Sequence, residues 1–340
     1  MPKSFLLLML LYVLAIQCFA QQDNPTTGSA YDAELSNYTY PFDVKRQAFQ
    51  AQQQTVEMAY MDLKPEGKHD PFTIVLLHGK NFGGYAFADM AKRLHGQGYR
   101  VFMPDQVGFG KSTKPENFQY TFQALATLTD ELLTREGVTS YTLLGHSMRG
   151  MLATRMALMY PEKVKKLILV NPIGLEDWKL LTTYKGIDAM YRDELKIKPA
   201  GIKKYQMDAY YSGDWKPEYD ILIEAASGWT RHADYPRIAW NSALTYDMVF
   251  TQPVIYEFEK ITVPTALIIG QLDKTAPGKA WAPEENKSKM GLYPQLGKNA
   301  AKLIPNSKLY ELDNLGHVPF LENIDRFFDE GLTPALADTP

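Results

Sequence analysis

The chain has 340 residues, 45% of them hydrophobic and 22% charged, with a formal net charge of −3 at pH 7. This length is enough for one large domain or two ordinary ones with a substantial core, and the composition is that of a globular protein. The near-balanced charge removes the electrostatic basis for nucleic acid or an anionic membrane surface as a partner.

The first element in chain order is a targeting signal. Lys3 precedes a charge-free apolar run from Phe5 to Ile16, and Cys18-Phe19-Ala20 before Gln21 offers a small-residue cleavage site. A bilayer helix needs about 20 apolar residues, so the run is too short for a stable membrane anchor. Residues 1–20 are therefore expected to be a signal peptide cleaved after Ala20, making the protein secreted or periplasmic. Gln17 before the cysteine argues against a lipoprotein signal. Cys18 is the only cysteine, so the mature chain would have none, which excludes disulfides, thiolate nucleophiles and Cys-ligated metals. Sequons at Asn37 and Asn286 matter only in a host that glycosylates exported proteins. Residues 21–45 are polar and read as a flexible leader.

From residue 46 the chain alternates short apolar runs with helical patterns. Thr73–Leu77 reads as a fully buried strand, and Phe87, Met90, Ala91 and Leu94 as a helix ended by Gly96 and Gly98. Tyr99–Met103 is a second strand, and Phe122, Leu125, Leu128 and Leu132 mark a second helix. A strand at Tyr141–Leu144, a helix at Met151–Met159 and a strand at Lys166–Val170 follow. This alternation, with near-continuous apolar strands, predicts an α/β protein with a mostly parallel sheet covered by helices on both faces. The rhythm stops after Pro172 and resumes with strands at Thr265–Ile269 and Lys308–Leu312. The expected division is a core of 46–175 and 262–335 with a helical cap, 176–261, inserted over the carboxyl ends of the strands, where open α/β sheets bind ligands.

Ser147 lies in Gly145-His146-Ser147-Met148-Arg149-Gly150, between a strand and a helix. That is the setting of a nucleophile elbow, although Arg149 stands where the pattern has a second glycine. A lone serine in such a turn is equally an ordinary helix cap, so partners decide. Of six histidines, His317 in the loop after the last strand is the best base. His69 and His95 lie near surface turns, His232 lies in the cap, and His146 should point away from the serine. Asp273, a few residues beyond the preceding strand, is the candidate acid that fixes the histidine tautomer. The backbone N–H of Met148, at a helix N-terminus, and that of Lys80 in Leu77-His78-Gly79-Lys80-Asn81 are candidate oxyanion donors, with Asn81 as the alternative.

With these residues in view, the sequence from about 45 to 330 resembles the capped branch of the α/β-hydrolase superfamily, which holds proline iminopeptidases, esterases, lactonases, epoxide hydrolases and haloalkane dehalogenases. The resemblance rests on His78-Gly79, on Pro104-Asp105-Gln106-Val107-Gly108-Phe109-Gly110-Lys111-Ser112, on Gly145-His146-Ser147-Met148, on Gly270-Gln271-Leu272-Asp273, and on Gly316-His317-Val318-Pro319-Phe320-Leu321-Glu322. The order Ser147, Asp273, His317 is the order of that fold. Dehalogenases and epoxide hydrolases of the fold carry Asp as nucleophile, so Ser147 implies acyl transfer to serine, without cofactor or metal, on a small-molecule ester, lactone or related acyl substrate. No metal-ligand spacing is seen. Trp178, Tyr184, Tyr191, Tyr210, Tyr211, Trp215, Trp229, Tyr235 and Trp240 could line an acyl pocket or be the cap's own packing. Glu176, Asp177 and Glu224 are available to hold a substrate amine, as in aminopeptidase relatives. A hydrolase-fold binding protein with turnover impaired by Arg149, and a perhydrolase or aminopeptidase activity on the same triad, are the alternatives. Oligomeric state is left open.

Overall fold

A computed structural model describes residues 28–67 and 72–337. The expected signal peptide, residues 21–27 of the expected leader and His69 lie outside the described residues. Eight strands form one sheet: β1 (Lys45–Ala51), β2 (Gln54–Leu63), β3 (Thr73–Leu77), β4 (Arg100–Pro104), β5 (Tyr141–His146), β6 (Val164–Val170), β7 (Thr265–Gly270) and β8 (Ser307–Leu312), in the order β1-β2-β4-β3-β5-β6-β7-β8. The strands from β4 to β8 in that order are parallel, whereas β1 pairs antiparallel with β2, and β2 with β4.

The apolar strands bury both faces because successive side chains alternate sides. Val75, Leu77 and Leu143 join one core cluster, with Leu125 and Leu132 of helix α2 (Phe122–Arg135) and Met151 and Met156 of α3 (Met148–Met159). Ile74, Leu76 and Leu144 join the other, with Met90, Ala91 and Leu94 of α1 (Ala88–Gly96). The α/β expectation thus holds. The antiparallel pair β1–β2 is less legible in sequence, because β1 is a largely exposed edge with only one fully buried residue, Phe49.

Between β6 and β7 the structure has helices and no strand: α4 (Ile187–Glu194), α5 (Pro199–Ala209), α6 (Asp220–Trp229) and α7 (Tyr235–Thr251) are the longer ones. A further helix, α8 (Tyr293–Leu303), packs beside β7 and β8.

One expectation needs correction. The described part of the expected flexible leader is packed rather than free, with Tyr31, Ala33, Leu35, Tyr38 and Tyr40 buried. Polar composition concealed this because the tyrosines bury their rings and bond through their hydroxyls. Toward the helical insertion, Tyr31 Oη donates to Glu224 at 2.9 Å, Trp229 Nε1 to Asp32 O at 3.0 Å, and Arg237 Nη2 pairs with Glu34 at 2.9 Å. Toward the core, Tyr40 Oη donates to Asp105 at 2.6 Å. Asp105 also accepts from the N–H groups of Gly84 and Lys111, each at 2.7 Å, so the strap docks on a carboxylate that already organises two core loops.

The strap fits the insertion closely at Gly228, where an added Cβ would lie 2.1 Å from Cδ2 of Tyr31. Gly228→Ala should therefore detach residues 28–40, cost about 1–3 kcal/mol, and open a new protease site there. Limited proteolysis and thermal unfolding check this; an unchanged digestion pattern contradicts it.

Candidate active site

β5 ends at His146 and α3 begins at Met148, so Ser147 makes the whole turn. Its backbone sits at φ 56° and ψ −125°, a conformation disfavoured for any residue with a Cβ. Close packing holds it there. Ser147 N–H donates to Val170 O at 3.2 Å, and its carbonyl accepts from Gly150 at 2.9 Å and Ile173 at 3.1 Å. A Cβ on Gly145 would lie 2.4 Å from the carbonyl of Arg149, and one on Gly150 would lie 2.3 Å from Cβ of Pro172. The missing glycine is thus tolerated because Gly145 and Gly150 take the tight contacts. Gly150 serves packing.

Adjacent parallel strands bring the distant partners to the same end of the sheet. His317 Nδ1 lies 2.6 Å from Asp273 Oδ2, with both side chains fully buried. Asp273 is held on both oxygens: Oδ2 accepts from Asn171 Nδ2 at 2.9 Å and Oδ1 from Thr275 N–H at 2.8 Å. Asn171, itself at φ 38°, directly follows β6 and also accepts from Gly270 N–H at 3.0 Å, so it fixes the Asp273 loop from the neighbouring strand. His146 lies 2.8 Å from the carbonyl of His317 through Nε2, with ring centroids 4.8 Å apart. Because His146 directly precedes Ser147, this contact seats His317 against the elbow. Burial pushes the His146 imidazole well below its ordinary pKa, so it is a neutral donor. His317 Nε2 has no hydrogen-bond partner among the described residues.

Sequence reasoning missed the supports of His317. Glu322 accepts from Gly316 N–H at 2.8 Å and Val318 N–H at 3.1 Å, on either side of the histidine. Tyr210, at the end of α5, accepts the His317 N–H on its carbonyl at 3.0 Å and stacks on the ring at 4.3 Å. The motif Gly316–Glu322 carried a signal for the first; nothing local in the sequence marks the second. Gly316 is required here, since a Cβ would lie 1.9 Å from the Tyr210 carbonyl.

The oxyanion candidates lie on the loop after β3 and at the start of α3. Phe82 N–H closes the loop on Gly79 O at 3.2 Å, with Lys80 and Asn81 half-buried within it. Burial, with help from the Arg149 charge, lowers His78 to about 3, keeping that ring neutral. The Lys80 ammonium reaches the insertion, donating to Ser242 Oγ at 2.6 Å.

Arg149 is buried without a polar partner among the described residues. It is fully buried, its guanidinium lies 4.2 Å from the Phe109 ring centroid, and Nε, Nη1 and Nη2 have no acceptor among the described residues. Burial pulls it down to about 9, so it stays charged at neutral pH. The other candidates lie elsewhere. His95 contacts Lys64 O and His232 accepts from Asp234 N–H. Of the aromatic residues proposed for a pocket, Tyr210 stacks on His317, while Tyr191 packs on Trp240 and Tyr211 on Tyr219. Glu176 accepts from Gly291 N–H, Asp177 from Tyr256 and Glu224 from Tyr31, so all three carboxylates have structural partners.

A strained serine between β5 and a helix, with a buried His–Asp pair from the ends of β8 and β7, is matched by a family model. The model for the α/β hydrolase fold covers residues 73–324. The chain belongs to that family. It is similar to Lipase 1 of Psychrobacter immobilis, at 26% identity over 265 residues covering 75% of this chain and 74% of the lipase. The solved structure of a probable hydrolytic enzyme from Pseudomonas aeruginosa PAO1 matches with a TM-score of 0.89 and 46% identity, covering 92% of this chain and 99% of that one. An esterase from Exiguobacterium antarcticum shares the fold at TM-score 0.65 and 21% identity, covering 86% of this chain and 99% of that one. At that level the chain is an α/β-family hydrolase.

The support under His317 has a pH signature. Burial raises Glu322 from 4.5 to about 7; the nearby Asp273 pushes the same way, while the two backbone N–H groups and Lys216 pull it down. The fold therefore holds a proton that the unfolded chain has released between these values, and stability falls as pH rises from about 4.5 to about 7. Glu322→Gln removes this titration. Relative to wild type it should gain up to about 3 kcal/mol between pH 4.5 and 8, read by denaturant unfolding. Parallel pH profiles for the two proteins would reject the assignment.

Proposed function

We propose that this protein is an exported serine hydrolase that cleaves a small ester, lactone or related acyl substrate through an acyl-enzyme on Ser147. The observation that carries the reading is the 2.6 Å His317–Asp273 bond beside a serine held at φ 56°. Ser147 Oγ attacks the carbonyl carbon while His317 Nε2 takes its proton. Asp273 holds Nδ1–H and balances the imidazolium that forms. Backbone N–H groups of Met148 and Lys80, with Asn81 as the alternative, stabilise the oxyanion. His317 then protonates the leaving group, and a water deprotonated by the same nitrogen releases the acid and restores the serine. The lipase and esterase relatives support an ester; the partnered state of Glu176, Asp177 and Glu224 gives an amine-binding aminopeptidase site less support. Export rests on the sequence of residues 1–20 alone.

Arg149 favours a second reading, in which the fold binds an acyl ligand with little turnover. An unpaired buried charge beside the elbow gives it a physical basis.

A fluorophosphonate probe should label Ser147, and short p-nitrophenyl esters should be hydrolysed. Ser147→Ala should abolish both, and Asp273→Asn should lower kcat by about 10⁴-fold. Folded protein that neither labels nor turns over esters contradicts the serine hydrolase and leaves the binding reading.

A further inference from the structure

The hydrolytic chemistry has no use for the Arg149 side chain, yet an ion buried without a partner opposes folding by several kcal/mol. The groups around it are already committed. Asp105 faces Tyr40 and the N–H groups of Gly84 and Lys111, and the Tyr120 hydroxyl is given to Asn241 Oδ1. His78 is neutral and turns Nδ1 to Gly79 O. The underside of the guanidinium is the face of Phe109.

A second cation is tied to the cap residue that follows Asn241. Lys80 Nζ leans on the neutral hydroxyl of Ser242 at 2.6 Å, and its nearest carboxylate, Glu194, stands 3.9 Å away. Burial, and to a lesser degree the Arg149 charge, lower the affinity of Lys80 for its proton, while Glu194 raises it. Ser242 and Asn241 are neighbours on α7, so both contacts that close this seam are neutral hydrogen bonds to one cap helix. An anion entering there replaces them with charge-assisted bonds, which are shorter and roughly twice as strong.

We propose that Arg149 and Lys80 form a carboxylate-binding subsite at the seam between core and cap, so that the substrate is an acyl compound bearing a second, free carboxylate, such as a half-ester of a dicarboxylic acid. Arg149 supplies the planar donor fork that matches a carboxylate, and Lys80 a point charge beside the oxyanion loop. The substrate assignment rests on the serine hydrolase reading; the subsite itself does not.

The two parts are tested separately. In Ser147→Ala, which cannot turn over, glutarate should raise the melting temperature saturably above a sodium chloride control of equal ionic strength, and Ser147→Ala/Arg149→Met should lose the rise. Arg149→Met should itself fold at least as stably as wild type, because it keeps the packing on Phe109 and removes the buried charge. With turnover intact, kcat/KM for 4-nitrophenyl hemiglutarate relative to neutral 4-nitrophenyl pentanoate should fall about 30-fold in Arg149→Met. No glutarate-specific rise, an equal rise in the double variant, or an unchanged ratio overturns the proposal. Protection by glutarate with no turnover of either ester supports the subsite and overturns the hydrolytic reading instead.

Discussion

The candidate site depends on one hydrogen bond between two fully buried side chains, His317 Nδ1 and Asp273 Oδ2. Both residues lie on loops, and a loop alone does not hold a donor and acceptor at 2.6 Å. The sheet does this in steps. Asn171, directly after β6, bonds Asp273, His146 of β5 contacts the His317 carbonyl, and the two loops meet so closely that a Cβ on Gly270 would lie 2.1 Å from the Gly316 carbonyl. Parallel pairing in register from β5 to β8 is the condition for all of these contacts, because it ends four strands side by side.

The same pair ties the helical insertion to the candidate site. Tyr210 belongs to the insertion by sequence but to the base by contact, through a backbone bond and a stacked ring. Ala209 accepts from Lys274 N–H, and Ser212 donates to Leu272 O, on either side of Asp273. The insertion is therefore part of the framework that orients the histidine. Glu322 shows the same priority from the core side: its carboxylate is kept under the histidine loop although its ionisation opposes stability at neutral pH.

Most of the core was legible because buried parallel strands write themselves as uninterrupted apolar runs, as Thr73–Leu77 and Thr265–Gly270 do. Ser147, Asp273 and His317 were legible as candidates because each lies close behind a strand, after β5, β7 and β8 in turn, and the structure brings His317 and Asp273 together at the elbow. The supports were not, because Tyr210, Asn171 and His146 act through contacts made across the fold, which no local pattern encodes. The described part of the expected leader, residues 28–45, was misread for a related reason. Polarity is a fair sign of a free chain until tyrosines supply the apolar surface, and five of its buried side chains include three of them. Arg149 was legible as an anomaly, but only the three-dimensional arrangement reveals that it has no polar outlet.

The strap has a consequence for assembly. Its bonds to the insertion join residues 193 to 203 positions apart in the chain, so its partners there do not exist until α6 and α7 have been made. Contacts of such long sequence separation form late because chain closure must precede them. Residues 28–40 thus close over Asp105 and the insertion together once both are in place.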